Sequence, residues 1–98
     1  MKYAIIISPQ ADLDMTNLES YIKDDLQLPD TAAKYMAGVD KTLDYLALYA
    51  DLIGFNPYVQ AMFGKKTRRV VYKKMSIIYV IRGNIVYVKR VIASSMIH

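Results

Sequence analysis

Between residues 32 and 53, seven apolar residues follow one another at spacings of 4-3-4-3-4-3: Ala32, Met36, Val39, Leu43, Leu46, Ala50 and Ile53. Such a run specifies a long helix with a continuous seam on one side, and that seam must be covered by another element. The cover precedes it in the chain. Ala11, Met15, Leu18, Ile22 and Leu26 recur at spacings of four, three, four and four. Ahead of them, Ser8 offers an N-cap hydroxyl and Pro9 suits the first helical position. Leu28-Pro29-Asp30 breaks the first helix and starts the second, so the two form an antiparallel hairpin.

After Thr67 the pattern changes from helical to extended. Residues 67–73, 77–82 and 85–92 are rich in Val, Ile and Tyr, and Arg82-Gly83-Asn84 marks a tight hairpin turn. These runs predict an antiparallel meander, and residues 3–7 read as a short buried strand that joins its edge. Residues 54–64 read as a connector containing Pro57, partly packed against the body. The expected architecture is α+β in the order β-α-α-β-β-β, one domain over residues 1–98. Its mainly antiparallel four-stranded sheet packs one face on the helical hairpin and leaves the other free.

Hydrophobic content of 54% with 22% charged residues describes a folded domain. There is no cysteine, and the single histidine is His98. A disulfide framework and a metal cluster are therefore excluded, no cofactor is expected, and the composition fits a reducing cytoplasm. The apolar run near the start is stopped by Pro9 and Asp12, too soon for a signal peptide or a membrane span.

Charge divides the chain in two. Residues 1–60 hold four lysines and all nine acids, whereas residues 61–98 hold nine cations and no acid. Lys65, Lys66, Arg68, Arg69, Lys73, Lys74, Arg82, Lys89 and Arg90 are the candidate residues for gripping a nucleic acid or another target. Tyr72, Tyr79 and Tyr87 interleave with them and suit stacking on bases. Most of the acids, Asp14 included, fall off the helical stripes and are expected in solvent. Breakage of RNA through its 2′-hydroxyl needs a base, an acid and cations on the developing charge. With no carboxylate in the basic half, Lys73, Lys74, Tyr72 and Arg90 are the candidate catalytic residues, with His98 as a terminal alternative. Arg68 and Arg69 are adjacent in a strand, so one turns to the open face and the other towards the helices or the edge. Replacing Lys2, Lys23 or Lys41 in the acidic half is expected to be silent.

Two segments, YAIIISPQADLDMTNLESYI (residues 3–22) and RRVVYKKMSIIYVIRGNIVYVKRVIASSMI (residues 68–97), carry a resemblance across essentially the whole chain. The strand–Ser-Pro–helix opening, the Arg-rich second strand, the IIY third strand and the last-strand arginine resemble the RelE/ParE superfamily of bacterial toxins. These are the toxin halves of type II toxin–antitoxin modules, sometimes called plasmid stabilisation proteins. The resemblance implies growth inhibition and a cognate antitoxin partner, with toxin and antitoxin joined in a hetero-oligomer. RelE-like members are metal-independent endoribonucleases that cleave mRNA on the ribosome, using Lys, Arg and Tyr on the sheet and polar residues of the C-terminal segment. ParE-like members poison DNA gyrase without that set. Here the C-terminal stretch is Ala93-Ser94-Ser95-Met96, which lacks the ribonuclease-type side chains and tilts the expectation towards the ParE-like activity. A degenerate toxin fold that only binds its antitoxin is the third possibility.

Overall fold

The computed structural model describes residues 2–98. It runs β1 (Ala4–Ile7), α1 (Pro9–Ser20), α2 (Pro29–Tyr49), α3 (Pro57–Phe63), β2 (Arg68–Tyr72), β3 (Met75–Arg82) and β4 (Ile85–Ala93). The sheet order is β1-β4-β3-β2, with β1 parallel to β4 and the other pairs antiparallel. The α+β architecture, the hairpin and the edge position of the first strand are as the sequence predicts.

Ser8 caps α1 by accepting from the Ala11 amide at 2.9 Å, and Pro9 takes the first helical position. After Ser20 the helix widens into a π turn over Tyr21–Asp25. That turn adds a residue to the repeat, so Ile22 stays buried while Leu26, the last member of the expected stripe, turns outward at 47% exposure. The seam of α2 does what its spacing demands. Ala32, Val39, Leu46 and Ala50 are buried, and the last three share one core with Ala11 of α1 and with Ile77, Tyr79, Val86, Val88 and Val91 of the sheet.

The second face of the sheet is not free, contrary to the sequence expectation. Residues 54–64 are more than a connector, because α3 lies within them. Asn56 caps it by accepting from the amides of Tyr58 and Val59, and Pro57 takes its first position. Val59 and Phe63, four residues apart, then pack with Ile78, Ile92 and Ile97 into a second, smaller core. Burial of that apolar group is the reason the face closes. Among the described residues, no helix is long and apolar enough to cross a membrane.

Candidate functional site

At one side of the sheet the basic residues are tied down. β4 has nine residues and β1 only four, so β1 covers the β4 edge from Ile85 to Val88 and no further. Lys89 is the extra residue of a bulge, where the register passes from Ile78–Arg90 to Tyr79–Val88. Beyond β1 the edge is closed by α1. Ser8 donates its amide to the Val88 carbonyl at 2.9 Å and its hydroxyl to the Lys89 carbonyl at 2.8 Å. Asp14 accepts from the Val91 amide at 2.9 Å and from Arg90 Nε and Nη2 at 2.8 and 3.0 Å. The Asp14 carboxylate thus stands where a neighbouring strand would offer a carbonyl. Its hydrogen bond holds the Arg90 guanidinium further above its ordinary pKa, so the charge is permanent. Asp14 is therefore not one of the solvated acids the sequence suggests, and its side chain is only 16% exposed.

The remaining candidates do not converge. Arg68 turns towards the helices, as the alternation of β2 requires, while Arg69 lies on the other side of the strand. Arg68 Nη1 donates to the carbonyls of Ile53 and Asp51 at 2.6 and 3.2 Å, and its guanidinium sits 4.2 Å from the Phe55 ring centre. Tyr79 is fully buried and donates its hydroxyl to the Ala50 carbonyl at 2.8 Å. Burial pushes that hydroxyl well above its ordinary pKa. Tyr72 also faces α2, meeting the Tyr35 ring edge-on at 5.1 Å. Burial, with the neighbouring Tyr72 second, raises the Tyr35 pKa. Only Tyr87 lies on the α3 side, beside Lys89 and Phe63 in a cavity of about 380 Å³; Lys89 Nζ is 3.5 Å from the Phe63 carbonyl. Lys65, Lys66 and Arg82 are exposed at one end of the β2–β3 pair, and Lys73 and Lys74 at the other. Five strand residues, roughly 16 Å, separate the two groups. Arg90 is two strands away from Tyr72.

The opposite side of the sheet is open. Strand β2 has a neighbour on only one side, except at Arg68, which bridges to Phe55. Between this edge and α2 runs a groove of about 920 Å³, lined among others by Lys34, Gly38, Lys41, Tyr45, Arg69 and Tyr72. Gly38 makes the arrangement possible, because a Cβ there would overlap the Tyr72 hydroxyl. Lys73 takes a left-handed conformation at φ 52°, and its ammonium lies 5.6 Å from the ring centres of both Tyr35 and Tyr72. Lys34 and Lys41 come from the acidic half, where the charge argument passes over Lys34 and expects Lys41 to be silent. Their seven-residue separation, two helical turns, was the available signal that they share a side of α2.

No protein-family model matches the chain, and no curated protein matches it in sequence. Among solved structures, it is similar to a chain in the chromosomal ParDE TA system from P. aeruginosa. The TM-score is 0.78 at 14% identity, over 94% of this chain and 96% of that one. A likeness at this identity shows the fold: the chain shares the α+β architecture, helical hairpin on four-stranded sheet, of a component of that ParDE TA system.

Proposed function

We propose that this chain is the toxin of a type II toxin–antitoxin module, neutralised by a cognate antitoxin and acting by gripping a protein target rather than by cutting RNA. The fold likeness and the resemblance of the sequence support the toxin part of this reading. One observation carries the choice of activity: of the candidate catalytic residues Tyr72, Lys73 and Lys74 are consecutive, but Arg90 is engaged by Asp14 and lies two strands from Tyr72. Arg90 is held by Asp14, Arg68 by the Asp51 and Ile53 carbonyls after α2, and Tyr79 by Ala50. Part of the sheet face that such a site would occupy is filled by Val59, Phe63 and Ile97. DNA gyrase is the target that the ParE-like reading names, and the cytoplasm is where both target and antitoxin would be met.

The test is inducible expression in bacteria with and without the product of the adjacent reading frame. The expected result is growth arrest relieved by that product, with intact mRNA and gyrase stalled on DNA. Codon-phased breaks in mRNA would replace the gyrase reading by the RelE-like one. Absence of any growth defect would remove the toxin reading.

A further inference from the structure

Between the start of α1, the end of α3 and strand β4 lies the cavity of about 380 Å³. Its walls include Gln10, Phe63, Tyr87, Lys89 and Arg90. Consecutive residues of a regular strand point to opposite faces, so Lys89 and Arg90 would not ordinarily share a wall. The bulge removes that parity. Lys89 is the extra residue, and both cations then line the same cavity. No acid lines it.

The donors on this wall are only partly used. Asp14 takes Nε and Nη2 of Arg90, and Nη1 makes no hydrogen bond among the described residues. Lys89 carries three donors, and the acceptor beside it, the Phe63 carbonyl, stands at 3.5 Å, too far for a strong hydrogen bond. Asp14 offsets the charge of Arg90. Lys89 therefore supplies the net positive charge, and Arg90 adds donors whose direction the carboxylate fixes. Ser8 already caps α1, so an anion here would be held by the side chains of β4.

The other walls are aromatic. Phe63 and Tyr87 are half-buried, and both line the cavity. Aromatic rings beside oriented cationic donors suit a planar ring that carries an anionic group. The volume lies near the lower end of the roughly 300–1,000 Å³ of ligand sites, which fits a molecule of about one nucleotide.

We propose that this cavity binds a free nucleoside 5′-monophosphate, its base against Phe63 and Tyr87 and its phosphate on Lys89 Nζ and Arg90 Nη1. Gln10, exposed at the mouth, offers an amide donor and acceptor to the edge of the base. The site lies on β4, away from the β2 edge and its groove, and does not depend on the toxin reading. The bulge then has two consequences: it passes the β4 edge to α1 and it brings Lys89 to the ligand.

The experiment is calorimetric titration of the full chain with 5′-AMP and 5′-UMP. The matching nucleosides, inorganic phosphate and a single strand of about ten nucleotides serve as comparisons. The expected result is one monophosphate bound per chain with a Kd of about 10–100 μM, and nucleoside and phosphate each at least about tenfold weaker. Lys89→Met keeps the stem and removes the charge, whereas Tyr87→Leu keeps the bulk and removes the ring. Each should weaken binding at least about fivefold, and the control Lys23→Met should leave it unchanged. Thermal melts confirm folding, and Gln10→Glu, which sets a negative charge at the exposed mouth, stands in for a variant that does not fold. No binding of either monophosphate at about 1 mM, or equal weakening by Lys23→Met, overturns the proposal. Inorganic phosphate bound as tightly as the monophosphates overturns it too, since the cations alone would then account for the affinity. A single strand bound over about a hundredfold tighter than either monophosphate, with a steep salt dependence, marks a nucleic-acid surface instead and likewise overturns it.

Discussion

The two edges of the sheet have received opposite treatment. At β4 the backbone beyond β1 is satisfied by Ser8 and Asp14, and the bulge at Lys89 falls where α1 takes over from β1. At β2 the backbone is bridged only at Arg68, and the space beside it is a groove walled by α2. A sheet edge left unpaired is a standing invitation to another chain, so a fold normally blunts it. The blunt edge here consumes a cation–carboxylate pair, whereas at the open edge Arg68 is held by the Ile53 and Asp51 carbonyls and Arg69 makes no described ion pair. Basic residues in one short segment therefore have different surroundings: Arg90 is bound to Asp14, whereas Arg69 borders the open groove.

The largest expected effect is at the closed edge. Asp14→Ala removes two charge-assisted hydrogen bonds and leaves the Val91 amide without an acceptor, which should cost about 2–3 kcal/mol in urea unfolding. Asp14→Asn keeps an oxygen for Val91 and should cost about half as much. A loss below about 1 kcal/mol for Asp14→Ala would mean that α1 does not close this edge electrostatically.

At the open edge the slot between α2 and Tyr72 is the sensitive point. Gly38→Ala gains about 1 kcal/mol of helix propensity but expels the Tyr72 ring, for a net loss of about 1–2 kcal/mol. In a Tyr72→Val background the same substitution should become neutral or stabilising. A double-mutant cycle with no coupling between the two positions would show that Tyr72 does not sit on Gly38.

Tyr79→Phe probes the end of α2 that walls the groove, and at neutral pH it should cost about 1 kcal/mol through the orphaned Ala50 carbonyl. Its pH dependence has a definite sign. The folded state keeps the Tyr79 proton beyond the point where the unfolded chain, near pH 10, loses it. Stability from this group is fully present below about pH 10 and falls as pH rises above it. The wild-type chain should therefore lose stability between pH 10 and 11 more steeply than Tyr79→Phe; equal slopes would contradict a buried, proton-retaining hydroxyl.

The smallest effect is expected at Arg69. Its replacement by Ala should change stability by less than about 0.5 kcal/mol, since no described hydrogen bond or ion pair depends on it. Comparison with Arg90→Ala, which leaves the Asp14 carboxylate half-buried and partly unpaired, gives the contrast between the edges its sharpest form.

Periodicity was enough to read the helices, the meander, the turn at Gly83 and the parity that separates Arg68 from Arg69. Each of these depends on near neighbours in the chain, through a helical repeat of 3.6 residues, a strand repeat of two, or a backbone angle that glycine tolerates. The α3 segment was legible in principle from Asn56-Pro57 and the Val59–Phe63 spacing, but its seven residues are too few for a stripe to stand out. The π turn that swings Leu26 outward left no separate mark in the spacing.

Which charges meet is a different kind of fact. Asp14 and Arg90 lie 76 positions apart, and Lys41 shares a groove with Arg69 only because α2 crosses beside β2. The sequence by itself determined the elements, their order and the uneven distribution of charge, because local sterics and burial patterns are written residue by residue. Only the tertiary structure decided that Arg90 is neutralised, that the second sheet face is partly filled, and that one edge is open beside a basic groove. Those outcomes depend on strand length and register, on a four-residue β1 too short to cover a nine-residue β4 and a helix that supplies the missing partner, and no local pattern encodes that mismatch.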